Sequence, residues 1–197
     1  MFTGLIGAVG RLAARSARDD GFRVTVETGA LPLAAVAVGD SIAVNGVCLT
    51  VVALGAGRFD ADVSGATLAA TTLGALEVGA RLNLERALTL ATPLGGHLVS
   101  GHVDGVGEVV AVEPVGESRT VRVRVPRALA RYVARKGSVC IDGVSLTVNA
   151  VDGDAFTVNL VAHTLAHTTL GGAAAGDAVN IEVDLLARYL ERLLERD

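Results

Sequence analysis

A chain of 197 residues suffices for one large domain or two of about 100 residues each; with 51% hydrophobic and 19% charged residues it is globular, not disordered. Its net charge of −4, with no basic block or acidic tail, argues against nucleic acid or an anionic membrane surface as the main partner. No apolar run approaches the ~20 residues of a membrane span, and the opening MFTGLIGAVG lacks the basic stretch and cleavage site of a signal peptide, so a cytoplasmic location is expected, with Cys48 and Cys140 as free thiols.

In chain order, FRVTVET reads as a strand and LPLAAVAVG as a short helix. SIAVNGVCLTVVAL is a hairpin turning at Asn45-Gly46, RFDADVS another strand, and ATLAATTLG a second short helix. Beyond the Gly-rich GGHLVSGHVDG come a strand at TVRVRVP, a short helix at ALARYVARKG, a hairpin turning at Asp142-Gly143, and a strand at AFTVNLVA. In the tail, Leu185, Leu186, Tyr189, Leu190, Leu193 and Leu194 recur at helical spacing with Arg and Glu opposite, which predicts an amphipathic helix of about three turns.

Shifting the sequence by 97 positions aligns it with itself without a gap, roughly three in ten positions being identical. Gly4 falls on Gly101, Asn83 on Asn180, Glu85 on Glu182, and ATLAATTLG on HTLAHTTLG. So long a period means a duplicated domain, not a solenoid unit. The expected divisions are 1–97, 98–185 and a tail helix at 186–197. About six short strands per copy predict an all-β architecture, a small antiparallel barrel or sandwich in each.

A two-residue turn fixes the hairpin register: Val44 opposite Val47, Ala43 opposite Cys48, Ile42 opposite Leu49, Ser41 opposite Thr50. Side chains alternate, so Ile42, Val44, Val47, Leu49 and Val51 fill a core while Ser41, Ala43, Cys48 and Thr50 face outward. In the second copy the outward set is Ser138, Cys140, Ser145 and Thr147. Solvated strand faces usually carry Lys, Glu or Arg, so small hydroxyl and thiol groups suggest close approach of another molecule. Metal and dinucleotide motifs are lacking: His163 and His167 are four apart and His97 and His102 five apart without matching acidic or Cys ligands, and no G-x-G-x-x-G follows a strand.

MFTG, GDSIAVNGVCLTV, GGHLVSGHVDG, KGSVCIDGVSLTV, the paired TTLG segments and GDAVNIEVD, in that order on a duplicated frame, resemble the riboflavin synthase family along essentially the whole chain. The resemblance implies two tandem six-stranded antiparallel Greek-key barrels and a C-terminal helix that holds a homotrimer together. It implies one 6,7-dimethyl-8-ribityllumazine per barrel, with the active site between the N-terminal barrel of one subunit and the C-terminal barrel of its neighbour. A four-carbon unit passes between two lumazines, giving riboflavin and 5-amino-6-ribitylamino-uracil, with no cofactor and no metal. Association with lumazine synthase is a further partner that it leaves open.

Carried over by motif, the first pocket is Gly4, Leu5 and Ile6 with Cys48, Leu49 and Thr50 and with Asp62, Val63, Ser64, Gly65, Ala66 and Thr67. The second is Gly101, His102 and Val103 with Ser145, Leu146 and Thr147 and with Asn159, Leu160, Val161, Ala162, His163 and Thr164, Lys136 reaching in. Implied roles are proton transfer for His102, a nucleophile or water-positioning group in Cys48 or Ser41, assistance from Asp184, and a covering role for Phe2. The alternative is a non-catalytic lumazine- or flavin-binding protein of the same fold, like the antenna proteins of luminescent bacteria, which lose binding residues from the second barrel. Here His102, Lys136, Ser145 and Thr147 all remain.

Overall fold

The computed structural model describes residues 1–195. The first copy forms β1 (Ala8–Ala17), β2 (Phe22–Glu27), β3 (Ser41–Val44), β4 (Val47–Gly55), β5 (Arg58–Val63), helix α1 (Gly65–Ala70) and β6 (Arg81–Arg86). The second forms β7 (Gly105–Val115), β8 (Ser118–Arg124), α2 (Arg127–Ala130), β9 (Ser138–Ile141), β10 (Val144–Asp152), β11 (Ala155–Leu160), α3 (Ala162–His167) and β12 (Ala178–Val183). Each set closes into an antiparallel barrel, ordered β1-β2-β5-β4-β3-β6 and, in equivalent positions, β7-β8-β11-β10-β9-β12. The last helix, α4, spans Leu185–Leu194. Of the tail expected to be helical, positions 196 and 197 lie outside the described residues. The helix expected at LPLAAVAVG does not form: only turns occur there, where Pro32 removes a backbone donor and the chain closes locally through Val36 N–H to the Leu33 carbonyl.

The hairpins have the register that their turns dictate, Ser41↔Thr50 through Val44↔Val47 and Ser138↔Thr147 through Ile141↔Val144. Asn45 and Gly46 adopt φ of 46° and 78°, Asp142 and Gly143 46° and 82°, as a type I′ turn requires. Matching bulges at Leu12/Ala14 and Val51/Ala53, and at Val109/Ala111 and Val148/Ala150, add the twist that closes so small a barrel. Ile42, Phe59, Leu82 and Leu84 fill the first core; Ile141, Phe156, Leu160 and Ile181 fill the second.

A third cluster, Phe2, Ala43, Val99 and Cys140, lies between the barrels. Two of the eight small residues expected to look outward are therefore buried: Ala43 is 3% and Cys140 1% exposed. The approaching body is the other barrel of the same chain. Phe2 donates to the Val99 carbonyl (2.7 Å) and Val99 to that of Phe2 (3.1 Å), and these two positions are equivalent under the 97-residue shift. A Cβ on Gly46 would meet the Gly143 nitrogen at 2.7 Å, and one on Gly143 the Gly46 nitrogen at 2.8 Å. Each contact occurs twice with roles exchanged, which is the signature of a twofold axis, here inside one chain.

Candidate functional site

Two short arms, residues 1–6 and 98–103, cross this axis. Ser145 N–H donates to the Gly4 carbonyl, and Cys48 N–H to the Gly101 carbonyl, each at 2.8 Å. Ile6 packs on the second core and Val103 on the first. The grouping read from sequence is thus exchanged: Gly4, Leu5 and Ile6 sit on the hairpin of Ser145, Leu146 and Thr147, while Gly101, His102 and Val103 sit on that of Cys48, Leu49 and Thr50. Glycine is required at both crossings, because a Cβ on Gly4 or Gly101 would lie 2.5 or 2.7 Å from the Cβ of Ser145 or Cys48 and both have positive φ.

Buried glutamates hold the arms. Glu85 accepts from Thr3 N–H (2.7 Å), Thr3 Oγ1 (2.6 Å) and Gly4 N–H (2.9 Å). Glu182 accepts from Ser100 N–H (2.6 Å), Ser100 Oγ (2.7 Å) and Gly101 N–H (2.9 Å). Burial pushes the Glu85 carboxyl up, and its hydrogen bonds to Thr3 and Gly4 oppose that rise.

Sheet register completes each site. Val51↔Ala61 sets the Cys48–Thr50 end of β4 alongside the Asp62–Ser64 end of β5, and Val148↔Val158 does the same for Ser145–Thr147 and Asn159–Val161. Ser64 caps α1, accepting from Thr67 N–H at 3.2 Å, and Gly65 and Ala66 form its first turn. Val161 precedes α3, whose first turn carries Ala162, His163 and Thr164. The side chains of Leu49, Val63, Leu146 and Leu160 are at least 91% buried in the cores, so at these positions a ligand meets backbone only. Arg23 holds Asp62 by two 2.7 Å bonds and keeps it below the usual carboxylate range; the equivalent pair in the second barrel is Thr120 with Asn159.

Two reactive clusters follow. On the first hairpin, Ser41 lies opposite Thr50, Cys48 is half-exposed, and the docked arm brings exposed His102. On the second, Ser145 Oγ lies 2.6 Å from His97 Nδ1. Burial lowers the His97 pKa, Asp184 partly opposing. Its Nε2 is buried with no partner among the described residues. In the sequence His97 stands out only as a metal-ligand candidate; the available signal is its place immediately before the arm that carries His102.

Phe2 and Asp184 are placed by their packing and capping. The Phe2 ring does not cover a site from outside: it is fully buried in the junction, where a Cβ on Gly101 would come within 2.8 Å of it. Asp184 caps α4, accepting from Leu186 N–H at 3.0 Å. Lys136 is exposed and holds φ at 68°, where the first copy has Gly39 at 97°. His163 and His167 stack at 4.1 Å. Cys140 is buried, which pushes its thiol well up.

A family model described as Lumazine binding domain matches residues 3–87 and again 100–184. The chain is 50% identical to riboflavin synthase of Photobacterium phosphoreum over 98% of its length and 89% of that protein. It is 49% identical to the Mycobacterium bovis riboflavin synthase, covering 98% of each chain. The chain belongs to the riboflavin synthase family. Membership extends to a more distant riboflavin synthase, that of Bacillus subtilis, at 37% identity over 100% of this chain and 91% of that one. Solved structures of LumP are also similar: that complexed with riboflavin has a TM-score of 0.84 at 28% identity, covering 93% of this chain and 99% of LumP. LumP complexed with 6,7-dimethyl-8-(1'-D-ribityl) lumazine has a TM-score of 0.82 at 27% identity. Among the described residues no helix is long and apolar enough to cross a membrane, and no group of three or more His, Cys, Asp or Glu is placed to hold a metal.

Proposed function

We propose that the chain is a transferase that dismutates two molecules of 6,7-dimethyl-8-ribityllumazine. Each barrel presents one molecule on its hairpin and on the arm docked there. A four-carbon unit leaves one lumazine, which becomes 5-amino-6-ribitylamino-uracil, and joins the other, which becomes riboflavin; one molecule loses what the other gains, so no external oxidant or reductant enters. The observation that carries this reading is the reciprocal docking of the arms, which gives two related but unequal sites: Cys48 with His102 on one, Ser145 with His97 on the other. Much of the acceleration then comes from holding two substrates in reactive geometry, with His102 moving the proton of the acidic methyl group.

Assembly as a homotrimer belongs to the same reading. Leu186, Tyr189, Leu190, Leu193 and Leu194 of α4 are 58–80% exposed, while Arg188 and Glu191 face their own barrel, so the helix turns its apolar stripe outward. A helix of ten residues is marginal alone and needs a partner for that stripe. Deleting residues 186–197 then gives monomers or dimers in sedimentation and a large loss of turnover. A cytoplasmic location and association with lumazine synthase complete the proposal; the latter is tested by co-sedimentation of the two purified proteins.

The deciding experiment mixes purified, chelator-treated protein with the lumazine alone and follows flavin absorbance. Turnover supports the synthase. Tight binding without turnover supports an antenna-type binding protein, the reading that LumP represents.

A further inference from the structure

The first-copy arm is the internal control for the second. Thr3 and Gly4 are held by Glu85, and Gly7 N–H donates to the Leu84 carbonyl at 2.8 Å. The second arm repeats these bonds: Ser100 and Gly101 are held by Glu182, and Asp104 N–H donates to the Ile181 carbonyl at 2.8 Å. It then adds three things absent from the first: His102 where the first has Leu5, Asp104 where it has Gly7, and the helix α4 behind them.

The additions are connected. The Asp104 side chain is 5% exposed; one carboxylate oxygen accepts from Val183 N–H at 2.7 Å, and the other is ion-paired with Arg188 of α4. Val183 ends β12 and Asp184 caps α4, so a single carboxylate fastens arm, strand and helix together. His102 and Arg188 line one cleft of about 430 Å³, with Tyr189 at its wall. On its N-terminal side His102 is fixed through Glu182; on its C-terminal side, through Asp104. The other tie of the helix, Glu191 to Arg131 and Tyr132, leads to α2 and away from the arm.

We propose that Asp104 and Arg188 are a positioning pair for His102, so that the C-terminal helix sets the catalytic geometry of its own chain in addition to any part in assembly. The inference rests on the role given to His102 above. A carboxylate buried at the foot of a short arm restricts where the imidazole two residues earlier can point, and an Arg on the helix fixes that carboxylate by charge. Loss of the pair therefore misplaces a proton carrier without removing a substrate contact, which lowers turnover and leaves binding nearly intact.

The test uses the full-length protein with Arg188→Met, Arg188→Lys, Asp104→Asn, the double variant Asp104→Asn/Arg188→Met, and His102→Gln. Expected is a fall in kcat of about tenfold in Arg188→Met and in Asp104→Asn, with KM for the lumazine changed less than about twofold. The limb of the kcat–pH profile that is lost in His102→Gln moves in both variants. The double variant is no worse than the poorer single one, since the two residues act as one unit. Arg188→Lys recovers part of the rate. Wild-type kcat in both single variants, or losses that multiply in the double variant, overturns the pair. Recovery of wild-type kcat at raised protein concentration, with dissociation seen in sedimentation, overturns it in favour of assembly alone. Wild-type turnover in His102→Gln overturns the reading of His102 itself, and the proposal with it.

Discussion

The two barrels share a frame and differ in the residues mounted on it. Glu85 and Glu182 hold the arms through the same three bonds, and Asn83 and Asn180 cross the axis to donate to the Asp142 and Asn45 carbonyls, each at 2.9 Å. Against this, under the 97-residue shift Leu5 corresponds to His102, Gly39 to Lys136, Asn45 to Asp142 and Cys48 to Ser145. Duplication explains the first group, which makes the same bonds in either copy. The second group marks where the copies do different work, and a dismutation needs one donor and one acceptor.

The sharpest test of that division lies at one position in both copies. His102→Gln should lower turnover by about 100- to 10,000-fold, while Leu5→Gln at the equivalent place should lower it less than about tenfold. Steady-state rates on the lumazine check both, and equal losses would remove the distinction between proton carrier and contact residue. The shared frame is tested by Glu85→Ala and Glu182→Ala. Each leaves two backbone N–H groups without their acceptor, so each should cost about 3 kcal/mol in denaturant unfolding. Unequal costs would show that the frame, too, has diverged.

A smaller effect is expected where the two turns meet. Asp142 is fully desolvated in the junction, which pushes its pKa up to about 7, its bond from Asn180 N–H opposing. The unfolded chain releases this proton near pH 4, whereas the folded one keeps it. Stability from this group is therefore fully present below about pH 4, declines as pH rises, and is lost above pH 7. Asp142→Asn, which makes the second turn match the first, should remove that decline and gain about 2–3 kcal/mol at pH 8, measured by urea unfolding at pH 4.5 and 8. The smallest effect belongs to Lys136. Its left-handed backbone costs about 1 kcal/mol relative to glycine, so Lys136→Gly should stabilise by that amount and weaken lumazine binding at the second barrel, read by calorimetry.

How much was legible follows from what sets each feature. Hairpin register was, because Asn45-Gly46 and Asp142-Gly143 demand one turn type and side chains then alternate by geometry. The core residues followed from the same alternation. Arm exchange was not, because Gly4 on Ser145 and Gly101 on Cys48 are close backbone approaches between segments with no shared periodicity. The trace they left was faint: a buried Glu and a Thr or Ser before Gly, repeated at 97 positions. Periodicity found the stripe of α4, but not that Arg188 and Glu191 would face the barrel and leave the leucines outside. His97 stayed hidden because its partner Ser145 is 48 residues away.

The reciprocal arms also carry a history. A single barrel with such an arm pairs with an identical copy by exchanging arms across a twofold axis, and fusing two copies of its gene end to end puts that dimer in one chain. The tether raises the concentration of each half about the other to the order of millimolar. More consequentially, it ends the requirement that both halves be the same. In a symmetric dimer any change appears on both sides at once; only after fusion could His102, Asp104, Lys136 and Asp142 arise on one side and leave their counterparts untouched.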